Sequence, residues 1–96
     1  MNFKAIELKD TTELMNSSDY KERFMAEYWQ TKIRYEKLRK MCAAYQKGTL
    51  PFVPSCSLEL LTKQLCAMDD YLRLLEERAE IEGIKLFNGT QPAFAV

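Results

Sequence analysis

The sequence predicts an all-α protein built on an antiparallel pair of long helices, and three observations lead to this expectation. Two stretches of more than twenty residues contain neither glycine nor proline. In both stretches apolar residues recur at alternating spacings of three and four, which is typical of an amphipathic helix. A short segment containing a glycine and two prolines separates them. Two helices of similar length joined by a short loop normally pack antiparallel.

The first helix is predicted over residues 19–47. Asp19 is a candidate N-cap, and Glu22, three residues later, is placed to complete a capping box. Gly48 can adopt a positive φ and is expected to end the helix. The residues predicted to face the second helix are Phe24, Tyr28, Thr31, Tyr35, Leu38, Cys42 and Tyr45. We refer to these positions, with their partners on the second helix, as the seam.

The connector, residues 48–56, contains two prolines that do not suit a helix interior and several apolar residues. We expect it to fold over the open end of the hairpin. A second helix is predicted over residues 57–82, capped by Ser55 or Ser57. Its seam residues are Leu58, Leu61, Leu65, Met68, Leu72, Leu75 and Ala79. Cys66 follows a seam leucine and is expected to pack in the core.

The two ends of the chain are predicted as short extensions of one domain that spans residues 1–96. Residues 10–13 are suited to cap a short helical turn before the first long helix. The C-terminal extension, residues 83–96, begins with an apolar run at 84–87 that is followed by Asn88 and Gly89. This pattern is typical of a strand that enters a tight turn.

Composition argues against several classes of function. Fourteen basic residues balance fourteen acidic ones, so the chain as a whole does not attract a nucleic acid polymer or a membrane. The sequence has no histidine, which removes the commonest general base and metal ligand. We therefore expect no catalytic residues, no metal site and no cofactor.

The expected location is the cytoplasm. No stretch approaches the roughly 20 apolar residues that span a bilayer, and the N-terminus lacks the apolar core of a secretory signal. The three cysteines, Cys42, Cys56 and Cys66, are odd in number and have no CxxC spacing. This arrangement argues against a disulfide framework.

A second line of residues on the second helix lies outside the seam, and we call it the outer stripe. It consists of Leu60, Gln64, Ala67, Tyr71, Leu74, Arg78 and Ile81. The first helix adds Met25, Trp29 and Ile33 on a neighbouring face. Two helices bury only one seam between them, so either these residues meet another chain or the termini fold back over them. Self-association is the interpretation that we favour.

Charge is divided unevenly between the helices. Residues 19–47 contain eight basic and four acidic side chains, whereas residues 57–82 contain three basic and seven acidic ones. One explanation is attraction between oppositely charged helices across the seam. The other is that the first helix offers cations to an anionic ligand, with tyrosines and a tryptophan nearby to stack on a base. Composition alone favours the first explanation.

Both helices resemble a family of small phage and prophage proteins. In the first helix the resemblance lies in Tyr20, Arg23, Phe24, Glu27 and residues 31–38. In the second, residues 60–78 are similar to the family pattern LLxxQLxAMxxYxxxLxxR. The family includes proteins related to a crAss-like phage protein, and its hairpin domain is shared with the phage anti-CBASS and anti-Thoeris sponges. The resemblance does not extend to the connector or the termini.

The resemblance implies a binding protein rather than an enzyme. The sponges are helical hairpins that assemble, typically as hexamers. They sequester cyclic oligonucleotide or related nucleotide second messengers without degrading them, so that bacterial defence effectors are not activated. In them an aromatic residue early in the first helix stacks on a base, and a basic residue about four turns later meets a phosphate.

Four residues of this chain match those roles. Tyr20 matches the stacking residue, and Arg34, or alternatively Lys32, matches the phosphate ligand. Arg23 matches the arginine that follows the aromatic residue. The family's usual lysine is replaced by arginine at Arg34, which keeps the charge but changes the geometry of phosphate binding. Thr31 departs from an apolar seam residue of the family.

The resemblance therefore implies two partners: a cyclic di- or trinucleotide or related nucleotide signal, and further copies of the chain, as a hexamer. An alternative reading is a protein-interaction module whose outer stripe binds a helix of a host or phage protein. Zero net charge disfavours a third reading, a nonspecific nucleic-acid binder.

Overall fold

Two long α-helices, a short one and a 3₁₀ turn make up the part of the chain that the structure describes. The computed structural model describes residues 7–86. The 3₁₀ turn spans Leu8–Thr11, and the helices are α1 (Thr12–Met15), α2 (Tyr20–Lys47) and α3 (Leu58–Glu82). The predicted all-α class is confirmed for residues 7–86, in which no strand occurs. Within that range, no helix combines the length and the apolar character needed to cross a membrane.

The N-terminus of each long helix is capped by a side chain. The Asp19 carboxylate accepts a hydrogen bond from a backbone N–H in the first turn of α2 at 2.9 Å. The predicted capping box is wrong in its second half, because Glu22 accepts instead from the hydroxyl of Ser17. At α3 the cap is Ser57, whose hydroxyl accepts from a first-turn N–H at 3.1 Å. Each cap satisfies one N–H group that would otherwise lack a helical partner.

The C-terminus of each long helix is a glycine in the left-handed conformation. Gly48 has φ +74° and Gly83 has φ +72°. A residue with a Cβ is strained at such angles by about 1–2 kcal/mol, so these positions favour glycine and end the helices there.

α2 and α3 pack antiparallel. The Tyr20 hydroxyl, at the start of α2, donates a hydrogen bond to Glu82 at the end of α3 over 2.8 Å. Two turns further along α2, the Tyr28 hydroxyl donates to Glu76 over 2.7 Å. The predicted seam is confirmed, since each of its residues on both helices is buried or half-buried. Its most deeply buried members are Phe24, Tyr28, Leu72, Leu75 and Ala79.

The apolar core lies towards the end of the hairpin at which α2 begins and α3 ends. It combines these five seam residues with Trp29 of α2 and with Ile84 and Leu86 beyond α3. The Trp29 indole N–H donates to the backbone carbonyl of Leu86 over 3.2 Å. Residues 84–86 form neither helix nor strand, so the predicted strand is wrong there, and residues 87–89 lie outside the described part. Docking on α2, not strand pairing, holds this segment in place.

The face of α2 that carries Met25, Trp29 and Ile33 lies against the described segments before α2 and after α3. Trp29 is 1% exposed and Ile33 6%, and Met25 is half-buried. On the N-terminal side, the Gln30 amide donates to the hydroxyl of Thr11, itself buried, over 3.1 Å. Trp29 and Ile33 are therefore buried within the chain itself, and the expectation that they contact another chain is wrong.

Two predictions about burial at the other end of the hairpin are also wrong. In the connector, Phe52 and Val53 are exposed instead of covering the seam. The two prolines fix an irregular backbone that closes the hairpin without turning back over it. Cys66 is exposed as well. It follows Leu65 by one residue, and a rotation of about 100° carries its side chain out of the seam.

Candidate functional site

The uneven charges of the two helices are not matched by ion pairs between them. In residues 7–86, every ion pair joins two side chains three or four positions apart on one helix. These pairs are Lys32–Glu36, Arg39–Glu36, Arg73–Asp69 and Arg78–Glu82. The hydrogen bonds between side chains of α2 and α3 come from tyrosine hydroxyls and an arginine instead, and the Lys21 ammonium donates only to the backbone carbonyl of Gly83, over 3.5 Å. Direct pairing across the seam therefore does not explain the excess of cations on α2.

The four predicted site residues lie on two different sides of the hairpin. Tyr20 and Arg34 are fourteen positions apart, and Arg23 and Arg34 are eleven apart. At 3.6 residues per turn, these separations leave the members of each pair within about 40° of each other around α2. Lys32 and Arg34 are only two positions apart and so point about 160° away from each other. We call the side of Tyr20, Arg23 and Arg34 the front and the side of Lys32 the back.

Tyr20 is the partly exposed aromatic residue of the front side, with 47% of its surface accessible. Its hydroxyl donates to Glu82 over 2.8 Å and accepts from Arg78 over 2.9 Å. Its ring contacts Phe24 edge-on, with 6.2 Å between the centroids. The hydrogen bond to Glu82 raises the pKa of Tyr20 and lowers the pKa of Glu82. At neutral pH the tyrosine is therefore a neutral donor and the glutamate an ionised acceptor.

The two front-side arginines of α2 differ in whether their guanidinium groups are already hydrogen-bonded within the chain. An Arg23 N–H donates to the backbone carbonyl of Ser17 over 2.9 Å, which ties this guanidinium to the segment before α2. Arg34 is exposed, and no hydrogen bond or ion pair within residues 7–86 involves its side chain. Its five N–H donors are thus free to bind an external anion.

Lys32 belongs to a separate cleft on the back side. Its ammonium group lies 3.8 Å from Glu36 and 5.7 Å from the centre of the Tyr35 ring. The cleft has a volume of about 280 Å³ and is lined by Lys32, Tyr35, Glu36, Arg39, Asp69, Leu72, Arg73 and Glu76. Its three cations and three carboxylates balance, so its lining has no excess charge to attract an anion. The structure therefore does not bring Lys32 together with Tyr20.

Glu36 holds the back cleft together, because it is buried and paired with both Arg39 and Lys32. We expect Glu36→Gln to lower the free energy of unfolding by about 1–3 kcal/mol, since two cations then lose their carboxylate. Urea unfolding measures the change. Glu27→Gln is the matched control, because Glu27 is an exposed carboxylate on the same helix. Equal losses in the two variants would contradict a special role for Glu36.

Reasoning from the sequence missed two residues of the front side, Arg78 and Glu82. In the sequence, Arg78 belongs to the outer stripe, and no pattern indicates that it contacts Tyr20. Glu82 is only the last residue of the predicted second helix. The predicted antiparallel packing could have indicated both residues, since it brings the start of the first helix beside the end of the second. Among residues 7–86, no group of three or more cysteine or carboxylate side chains could hold a metal ion.

The outer stripe borders the front side, because Arg78 belongs to it and contacts Tyr20. All seven of its residues are exposed. The largest apolar members are Leu60, Tyr71, Leu74 and Ile81. The structure therefore places an aromatic residue, free and tethered arginines, and an uncovered apolar line on one side of the hairpin.

Comparison with known proteins identifies the family. No curated protein and no solved structure matches the chain. The model of the family described as Sequestin matches residues 18–81, about two-thirds of the sequence. The matched range contains α2, the connector and all but the last residue of α3. This match confirms the resemblance to the phage nucleotide sponges, and the family name indicates sequestration, which is a binding role. The chain belongs to the Sequestin family.

Proposed function

We propose that this protein is a phage-type immune-evasion protein that sequesters a cyclic oligonucleotide or related nucleotide second messenger of bacterial defence without degrading it. The observation that carries the proposal is the front side. There, a partly exposed tyrosine and an unpaired arginine share one face of α2. These are the groups that bind a base by stacking and a phosphate by charge-assisted hydrogen bonds.

The distance along α2 bears on how such a site is built. Tyr20 and Arg34 are fourteen positions apart, which corresponds to about 21 Å along the helix axis. This separation is much longer than the distance between the base and the phosphate of one nucleotide. In our proposal, a single nucleotide unit therefore contacts Tyr20 of one subunit and Arg34 of another. The ligand lies in a pocket between subunits, since a two-helix hairpin has no interior for it.

The outer stripe supplies a surface for that assembly. It exposes several large apolar side chains next to the front side, and such surfaces commonly mark protein–protein contacts. We propose that the stripe packs against further copies of the chain, as the hexameric sponges imply. Arg78 then connects the assembly surface with Tyr20.

Leu74→Lys tests this assembly surface. Leu74 is 59% exposed in the outer stripe, so the substitution leaves the hairpin core intact and places a charge in the proposed contact. We expect a smaller assembly by light scattering coupled to gel filtration. Val53→Lys is the matched control, because Val53 is an exposed apolar residue in the connector. An unchanged mass for Leu74→Lys, or a monomeric wild type, would contradict the proposed surface.

A thermal-shift panel tests the function itself. It contains cyclic di- and trinucleotides, ADP-ribose-derived signals, and linear nucleotides as controls. A ligand present at a hundred times its Kd and bound only by the folded state adds about 2.7 kcal/mol of stability, which raises Tm measurably. We expect a selective rise for one cyclic or ADP-ribose-derived signal, and that ligand should be recovered intact after incubation. Recovery of a hydrolysed product would refute sequestration without degradation.

A second candidate function is a protein-interaction module, and the exposed outer stripe favours it as well. In this case the stripe binds a helix of a host or phage protein. The two functions differ in the state of the purified chain. A monomer that gives a flat response across the nucleotide panel favours the interaction module, whereas a homo-oligomer with a selective response favours the sponge.

A further inference from the structure

The candidate stacking residue is held in place by the other end of the hairpin. Glu82, the last residue of α3, accepts a hydrogen bond from the Tyr20 hydroxyl over 2.8 Å and another from Arg78 over 3.2 Å. Arg78 also donates to the same hydroxyl over 2.9 Å. The three polar groups form a closed triangle that joins the first turn of α2 to the last turn of α3.

The same cluster fixes the orientation of the Tyr20 ring. The ring meets Phe24 edge-on at an interplanar angle of 65°. Phe24 is buried, and the Arg78 guanidinium lies 5.0 Å from the centre of its ring. Tyr20 is thus anchored at its hydroxyl by polar contacts and along its ring by a buried neighbour. Nearly half of its surface remains accessible to a ligand.

We propose that Glu82 is a positioning residue that holds the Tyr20 ring ready for stacking. The inference rests on the proposed function, in which Tyr20 stacks on a base. A tyrosine without an anchor on the first turn of a helix loses side-chain freedom when a base stacks on it, and this loss weakens binding. The hydrogen bond to Glu82 imposes that restriction before the ligand arrives. Glu82 itself need not touch the ligand.

The opposite role for Glu82 makes a different prediction. A carboxylate close to an anionic ligand repels it, so removal of the charge would then tighten binding. Alanine and glutamine substitutions separate the two roles. Glu82→Ala removes both the acceptor and the charge. Glu82→Gln removes the charge but keeps a side-chain oxygen that accepts from the tyrosine hydroxyl.

The first part of the test needs no ligand. NMR spectra of the full chain with ring-labelled tyrosine report the order of the Tyr20 side chain, and a Tyr20→Phe variant assigns its signals. We expect the Tyr20 side chain to hold one rotamer in the wild type and in Glu82→Gln. In Glu82→Ala we expect it to exchange between rotamers. Glu80→Ala is the matched control, because it removes the same charge from an exposed position of the same helix. An equally ordered ring in Glu82→Ala overturns the proposal whether or not a nucleotide binds.

The second part measures the affinity for cyclic diadenylate as the probe. We expect Glu82→Ala to bind about tenfold more weakly than the wild type, with Glu82→Gln and Glu80→Ala close to wild type. Wild-type affinity in Glu82→Ala, or tighter binding in both Glu82 variants, overturns the positioning role. If the wild type does not bind this probe, the proposed function fails for cyclic diadenylate, and the NMR comparison alone decides whether Glu82 orders Tyr20.

Discussion

Leu75→Ala is expected to lower the free energy of unfolding by about 3–5 kcal/mol, which is a large fraction of the roughly 5–15 kcal/mol that stabilises a typical domain. Leu75 is 1% exposed and belongs to the core cluster with Phe24, Tyr28 and Trp29. Removing its branched side chain loses the free energy of burial and leaves a cavity that large, rigid aromatic neighbours cannot collapse into. Equilibrium unfolding in urea, followed by circular dichroism, measures the loss.

Leu74→Ala is the control that the chain itself provides. It makes the same chemical change one residue earlier on α3, at a side chain that is 59% exposed. At a protein concentration low enough to keep the chain monomeric, we expect a change within about 0.5 kcal/mol. Comparable losses in the two variants would mean that Leu74 is as buried as Leu75 under these conditions. That result would contradict the division of α3 into a seam and an exposed outer stripe.

If the protein has the proposed function, Arg34→Glu is expected to reduce its affinity for the nucleotide signal about 100-fold, which corresponds to about 2.7 kcal/mol. A hydrogen bond to a charged group contributes about 1.5–3 kcal/mol, and the new carboxylate adds repulsion from the phosphate. Within residues 7–86 the exposed Arg34 side chain makes no hydrogen bond or ion pair that the substitution would break, so folding and assembly should persist. Isothermal titration calorimetry with the signal identified by thermal shift measures the affinity.

The control for Arg34 is Lys40→Glu. Lys40 is also exposed on α2, and its substitution makes the same change in net charge. It lies six positions further along the helix and about 120° around it from Arg34. We expect Lys40→Glu to bind within a few-fold of the wild type. If both variants lose affinity equally, the effect is one of overall charge, and Arg34 is not a specific phosphate ligand.

The elements that are specified by neighbouring residues were predictable from the sequence. The predicted helices, 19–47 and 57–82, differ from α2 and α3 by one residue at each start. This agreement arises because caps such as Asp19, Ser57 and Gly48 act on the backbone within one turn of themselves. The seam was equally predictable, since the spacing of its residues is visible in the sequence of each helix taken separately.

Features that depend on distant segments were not predictable in this way. In the sequence, Trp29 and Ile33 look like residues of a face without a partner. The structure shows them buried, because the described segments beside the hairpin lie against α2. A run of apolar residues as short as 84–86 is compatible with a strand, and only its docking on Trp29 decides otherwise.

The candidate site shows the same limit. Lys32 and Arg34 have nearly the same position in the sequence, and both were candidates for the phosphate. Only the location of the seam shows that they face opposite sides of the hairpin. The contact of Tyr20 with Arg78 and Glu82 joins residues about sixty positions apart, and no local pattern indicates it.

The burial of Trp29 gives the protein an internal optical reporter. Trp29 is the only tryptophan of the chain, and it lies edge-on to Tyr28 with 5.1 Å between the ring centroids. Its fluorescence emission should be blue-shifted in the folded chain and move to longer wavelength when the segment around Leu86 leaves α2. Nine positions separate Trp29 from Tyr20, so the two rings point about 180° apart around the helix. We therefore expect the emission wavelength to follow the integrity of the core and to be unaffected by a nucleotide bound at the proposed front-side site.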